Sequence, residues 1–215
     1  MKQFDAVVFD MDGLLLDTER VALVASEVAC EKIGVSFSRE VYEACVGTKI
    51  EKTREILAEA LEGQCGVDEY FAVWNEEFRL LADNGIPLRP GVLVALNYFR
   101  DLGWPMGVAT SSSTETAERH LNAYELIGYF EVVVGGDQVT YSKPDPEIFL
   151  LAAERLGKSP ERCLAFEDSN NGARSAHAAG MTVVQIPDQV PTADDVHKAG
   201  VIILESLESV PGYRF

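Results

Sequence analysis

The residues most able to do chemistry sit in the run Phe9-Asp10-Met11-Asp12-Gly13-Leu14-Leu15-Leu16-Asp17-Thr18. Asp10 and Asp12 project together from the end of a strand-like segment, where two carboxylates repel unless they share a cation or a proton. Asp-Gly is ordinary turn chemistry, but the Leu14-Leu15-Leu16 run makes a poor solvated loop. A D-x-D-G-x-x-x-D pattern also arises by chance in only roughly one chain in a thousand of this length. Three later groups can be read beside it. Thr110-Ser111-Ser112 offers hydroxyl and backbone donors, and Ser112 with Glu115 fits a capping box. A helix starting there favours phosphate oxygens. Lys143, in Tyr141-Ser142-Lys143-Pro144-Asp145-Pro146-Glu147, is a compact point charge suited to phosphate or carboxylate. Glu167-Asp168 precedes a helical segment. Taken singly, these groups are a capped helix, a solvated lysine and an acidic helix start.

Positioning them requires a sheet. Short apolar runs at 6–9, 106–109, 132–134, 163–166, 182–186 and 201–204 are continuous rather than alternating, as in strands buried on both faces. Helical segments at 92–102, 115–121, 146–156 and 173–179 lie between them. This alternation predicts an α/β fold with a doubly wound parallel sheet, whose ligands gather at the carboxyl ends of the strands. Residues 19–84 break the pattern: helical stripes recur (Val21, Val24, Val28; Ile50, Leu57, Leu61), and Asp68 is placed to cap a helix through Leu81. So long a stretch is too much for a simple crossover. It predicts a helical cap subdomain over 17–85, inserted into a core formed by 1–16 and 86–215.

Composition narrows the partners. The 215 residues include 18 Lys plus Arg against 35 Asp plus Glu, a net charge of −17. So acidic a surface repels phosphate backbones and anionic membranes, which excludes nucleic-acid polymers and membrane surfaces as expected partners. The four cysteines have no C-x-x-C spacing and read as reduced packing residues. His120, His177 and His197 have no ligand-like neighbours and read as surface or packing residues. No apolar run reaches transmembrane length, and the first residues lack a signal peptide's apolar stretch. A cytoplasmic protein, monomeric or weakly dimeric, is expected.

The four groups, in this order and at strand ends, resemble the motifs of the haloacid dehalogenase-like superfamily along essentially the whole chain. The resemblance implies a magnesium-dependent phosphohydrolase in which Asp10 is the nucleophile and forms an acyl phosphate that water later cleaves. Mg²⁺ suits the site because it binds one or two carboxylates with substrate phosphate and water. Asp10, Asp168 and the Asp12 backbone carbonyl are the implied ligands, with Glu167 a further ligand or the group orienting a bound water. Asp12 is the implied general acid and base. Thr110, Ser111, Ser112 and Lys143 are the implied phosphate contacts. An aspartate at position 12, rather than the tyrosine, phenylalanine, alanine or threonine of other members, points to phosphate esters.

The cap is expected to carry substrate choice through Thr18 and Glu19 at its entry and through Thr48 and Lys49 between its helices. The expected substrate is a small phosphorylated metabolite, a sugar phosphate or nucleotide-like monoester. Two alternatives are a β-phosphoglucomutase-like phosphohexose mutase and a non-catalytic phosphometabolite-binding module. Members of the mutase subgroup carry a cap histidine, a lysine and an arginine where this chain has Ala22, Val46 and Ile50. A mutase must grip a second phosphate, so these residues favour hydrolysis. The intact acid–base aspartate argues against pure binding.

Overall fold

A computed structural model of the chain describes residues 4–46 and 50–215. Two compact units emerge: residues up to Leu16 together with Leu88–Phe215, and Asp17–Pro87.

The first unit is built on a six-stranded sheet. Its strands are β1 (Ala6–Phe9), β2 (Met106–Ala109), β3 (Val132–Val134), β4 (Cys163–Glu167), β5 (Thr182–Gln185) and β6 (Ile202–Ile203). All pairings are parallel, in the order β3-β2-β1-β4-β5-β6. The expected doubly wound α/β architecture is therefore present. β1, β2 and β4 are buried along their whole length, which explains their continuous apolar runs. On one face, Ala6, Val8 and Ala165 pack with Phe149, Ala152 and Ala176. On the other, the Phe9 ring stacks on Phe166 at 5.1 Å and meets Phe99 edge-on at 6.0 Å. Five helices belong to this unit among the described residues: α5 (Val92–Asp101), α6 (Thr114–Ala123), α7 (Glu147–Arg155), α8 (Asn170–Ala178) and α9 (Asp194–Lys198). Their helix numbers follow those of the inserted unit.

Two starts differ from the capping pattern in the sequence. α6 is capped by Ser113, whose hydroxyl accepts from Thr116 N at 3.3 Å, rather than by Ser112. Three consecutive serines offer the same cap in neighbouring frames, and Ser112 is drawn instead to a carboxylate. α8 begins at Asn170, three residues before the apolar periodicity, because Ser169 accepts from Gly172 N at 3.0 Å.

The second unit holds, among its described residues, α1 (Thr18–Ile33), α2 (Arg39–Cys45), α3 (Ile50–Ala60) and α4 (Val67–Asp83). Gly66, not Asp68, takes the N-cap position of α4, and the Asp68 carboxylate pairs instead with Arg54. An acidic residue one position inside the helix still complements the helix dipole. The core of this unit is small: Ala29, Cys30, Val35, Leu57, Leu61 and Tyr70. Beside it lies a cavity of about 660 Å³, lined in part by Phe37, Tyr42, Tyr70, Phe71 and Trp74. All four cysteines are thiols rather than disulfides, and burial raises the Cys163 thiol to about 11. His120 is buried, while His177 and His197 are exposed. No helix among the described residues is long and apolar enough to cross a membrane.

Candidate active site

Parallel register brings distant groups together. Phe9 lies opposite Phe166 and Val108, so the next residues, Asp10, Glu167 and Ala109, share one edge at the carboxyl ends of β1, β4 and β2. The chain then folds sharply after β1. Gly13 N donates to Leu16 O at 2.8 Å, Leu15 N donates to Met11 O at 2.9 Å, and Leu14, Leu15 and Leu16 are buried. Gly13 adopts φ +84°, and a Cβ there would collide with the Asp168 carboxylate. Both its conformation and this close approach need glycine.

Lys143 reaches into this edge from the loop before α7. Its Nζ donates to Asp10 Oδ1 at 2.6 Å, Glu167 Oε1 at 2.7 Å and the Ala109 carbonyl at 3.0 Å. The side chain is only 7% exposed. Burial pushes the Lys143 pKa down, yet the charges and hydrogen bonds of Asp10 and Glu167 hold it above the ordinary value. Glu167 is fixed further by Ser169, whose N and hydroxyl donate to Oε2 at 2.9 and 3.0 Å. A Cβ at Gly172 would overlap the Glu167 carboxylate, so the first turn of α8 rests directly on it.

Asp12 belongs to a second set of contacts. Its Oδ2 accepts from the Thr110 hydroxyl at 2.9 Å and from the Ser112 hydroxyl at 2.8 Å. Ser112 N donates to Thr110 Oγ1 at 3.1 Å. Asp137 holds the start of α6, accepting from Thr114 N at 2.7 Å and its hydroxyl at 2.8 Å. Hydroxyls expected to face phosphate thus hold a carboxylate, and another carboxylate takes up the N-terminal N–H of Thr114.

Oxygens of Asp10, Glu167 and Asp168 lie within 4.8 Å of one another. Burial pushes both Asp10 and Asp168 well above the usual carboxylate range, helped by Glu167 and Asp12 at Asp10 and by Glu167 and Asp10 at Asp168, with Lys143 opposing. Three converging carboxylates against one lysine leave a deficit of positive charge. The donor set, all oxygen and mostly buried, fits a hard divalent cation.

The edge therefore gathers Asp10, Asp12, Thr110, Ser112, Lys143, Glu167 and Asp168. Ser111 is exposed. Thr18 is buried at the start of α1 in the helical unit. Glu19 follows it, accepting from the Tyr42 hydroxyl at its backbone oxygen (3.0 Å) and its carboxylate (3.4 Å). Thr48 and Lys49 lie outside the described residues. Asn171 Oδ1 accepts from Arg174 Nη1 at 3.1 Å. Sequence reasoning missed Ser169 and Gln185. Ser169 was visible as a polar residue three before Gly172, and Gln185 as the one amide in an apolar strand run.

The family model for haloacid dehalogenase-like hydrolases matches residues 7–186. The chain is similar to a phosphorylated carbohydrates phosphatase of Thermotoga maritima, 36% identical over 82% of each chain. It is also similar to the fructose-1-phosphate phosphatase YqaB of Escherichia coli, 32% identical over 86% of this chain and 97% of that one. Among solved structures, CbbY from Rhodobacter sphaeroides in complex with phosphate superposes with a TM-score of 0.76 at 30% identity, covering 97% of this chain and 96% of that one. With the match running from within β1 past the end of β5, and so covering the carboxyl ends of β1, β2 and β4, the chain belongs to the haloacid dehalogenase-like hydrolases.

Proposed function

We propose that the protein is a phosphatase acting on a small phosphorylated metabolite, a sugar phosphate or nucleotide-like monoester, through a phosphoaspartate on Asp10. The observation that carries this reading is the buried Asp10–Lys143–Glu167 contact beside an Asp12 held by two hydroxyls. Relatives named for phosphorylated carbohydrates and fructose 1-phosphate support the substrate class.

Lys143 fixes Asp10 Oδ1, orienting the carboxylate for attack on phosphorus, and its charge also suits phosphate oxygens. Thr110 and Ser112 occupy Asp12 Oδ2, so the proton that Asp12 transfers is carried on Oδ1. Asp12 gives that proton to the leaving alkoxide, then takes one from the water that cleaves the phosphoaspartate. Asp10 and Asp168, with Glu167 beside them, would hold Mg²⁺. When bound, it screens the like charges of nucleophile and phosphate, an effect worth several kcal/mol.

The test is phosphate release from a panel of sugar phosphates and nucleotides. Wild-type protein should require Mg²⁺, and Asp10→Asn should lose at least about a thousandfold in turnover. Retained turnover in that variant with the metal present overturns the mechanism. Conversion of glucose 1-phosphate and its bisphosphate to glucose 6-phosphate without free phosphate would support a mutase instead.

A further inference from the structure

We propose that Gln185 is a positioning residue for the cation-holding loop, acting through the Asp168 backbone with Asn170 as its partner. This rests on the reading above of Asp10, Glu167 and Asp168 as the cation's carboxylates.

Gln185 ends β5 directly opposite Glu167 and is fully buried. The last backbone bond between the two strands runs from Ile186 N to Glu167 O at 2.8 Å. The next carbonyl, that of Asp168, has left the ladder. Gln185 Nε2 donates to it at 3.0 Å, so the side chain extends the sheet's hydrogen bonding by one residue, at the residue that carries the carboxylate. The same Nε2 lies 3.4 Å from Asn170 Oδ1. That oxygen also accepts from Ala193 N at 2.8 Å, and Asn170 Nδ2 donates to the Pro191 carbonyl at 3.0 Å. Gln185 and Asn170 thus tie the start of α8 to the end of β5 and to the segment before α9.

A purely structural role explains this arrangement poorly. Gln185 Oε1 is buried without a hydrogen-bond partner among the described residues, a condition that costs stability. An apolar side chain of similar length would remove that cost and fill the same space. What it could not supply is the N–H that fixes the Asp168 carbonyl. Groups that orient the ligands of a metal typically change metal affinity by 10–100-fold when lost.

The discriminating variant is Gln185→Met, compared with wild type by melting temperature across a Mg²⁺ titration and by turnover at each Mg²⁺ concentration. The expected result is a rise of about tenfold in the Mg²⁺ concentration giving half the melting shift. Turnover should fall most at low Mg²⁺ and recover as Mg²⁺ approaches saturation. A lower EDTA melting temperature with an unchanged Mg²⁺ midpoint overturns the proposal, because that is the behaviour of a residue that only supports the fold. Should Gln185→Met fail to fold, Asn170→Ala carries the test at a partly exposed position: a smaller rise in the midpoint supports the proposal, and none overturns it. A wild-type titration with no Mg²⁺-dependent shift overturns the cation reading itself and this proposal with it. A wild-type shift that both variants leave in place overturns this proposal alone.

Discussion

In the sheet unit, a lysine and three carboxylates are packed at the ends of buried strands, with each described contact set by a neighbouring element. In the helical unit, most described ion pairs lie at the surface, Glu77 beneath Lys32 being a buried exception, and aromatic side chains border a cavity of about 660 Å³. The difference follows from geometry. Parallel strands deliver their last residues to one line, so each side chain's position is fixed by its neighbours' register. A small helical unit with few fully buried side chains leaves gaps where they do not interdigitate. The sheet unit should therefore be intolerant of change in either direction, while the helical unit should tolerate loss and accept additions.

The largest effect expected from this contrast uses one substitution in two helices. Leu96 on α5 is fully buried, and Leu57 on α3 is 7% exposed and lines the cavity. Leu96→Ala should cost about 4–5 kcal/mol and Leu57→Ala about 2–3 kcal/mol, because a residue already bordering empty space has fewer contacts to lose. The two tryptophans give each unit its own reporter, Trp104 for the sheet and Trp74 for the helices. Denaturant unfolding in single-tryptophan backgrounds reads the two costs separately. Equal costs would break the comparison.

A smaller and opposite pair adds atoms instead of removing them. Gly172→Ala gains up to about 1 kcal/mol of helix propensity, but its Cβ overlaps the Glu167 carboxylate. The overlap should dominate, giving a net loss of about 1–3 kcal/mol together with reduced turnover. Ala60→Leu adds bulk to the cavity wall and should raise stability by about 1 kcal/mol. Thermal melting of both variants checks the signs, and a stabilising Gly172→Ala would mean that Glu167 can move.

How far the sequence reveals each unit follows the same contrast. β1, β2 and β4 are legible because full burial leaves unbroken apolar runs, and Asp10, Asp12, Glu167 and Asp168 are legible because two of those runs end beside them; Lys143 shows only through its place in the motif order. The start of α6 is not, because Ser111, Ser112 and Ser113 offer the same hydroxyl in three frames, and only the position of Asp12 decides among them. α8 hides its first turn behind Asn170, Asn171 and Gly172, poor helix formers held in place by Ser169. Gln185 could be seen as an intruder in an apolar strand, but its target is a backbone carbonyl, which no side-chain pattern encodes. α2 lacks any buried residue, so it leaves no periodic trace in the sequence.

The smallest expected effect asks whether the contrast extends to surface charge. In the helical unit, Arg39–Glu43, Lys52–Glu55 and Arg79–Glu76 join residues three or four apart on one helix, while Lys32–Glu77 and Arg54–Asp68 each join two helices through a single pair. In the sheet unit, Arg174 on α8 clamps Asp195 on α9 with two bonds, Nε to Oδ2 at 2.6 Å and Nη2 to Oδ1 at 2.8 Å. The guanidinium's hydrogen bonds hold the Asp195 carboxyl down at about 2. Because the folded value lies below the unfolded value of about 3.9, the stabilisation is complete above the unfolded value. It is lost as pH falls through about 2. Both groups are largely exposed, so the effect is modest and weakened by salt. Carboxyl carbon NMR should give Asp195 a midpoint near 2 in wild-type protein. In Arg174→Met it should return toward about 3.9. The melting-temperature gap between the two proteins should close as pH drops from 5 toward 2. A gap that stays constant across that range would mean that Arg174 contributes by packing alone, and that at its surface the sheet unit uses charge no differently from the helices.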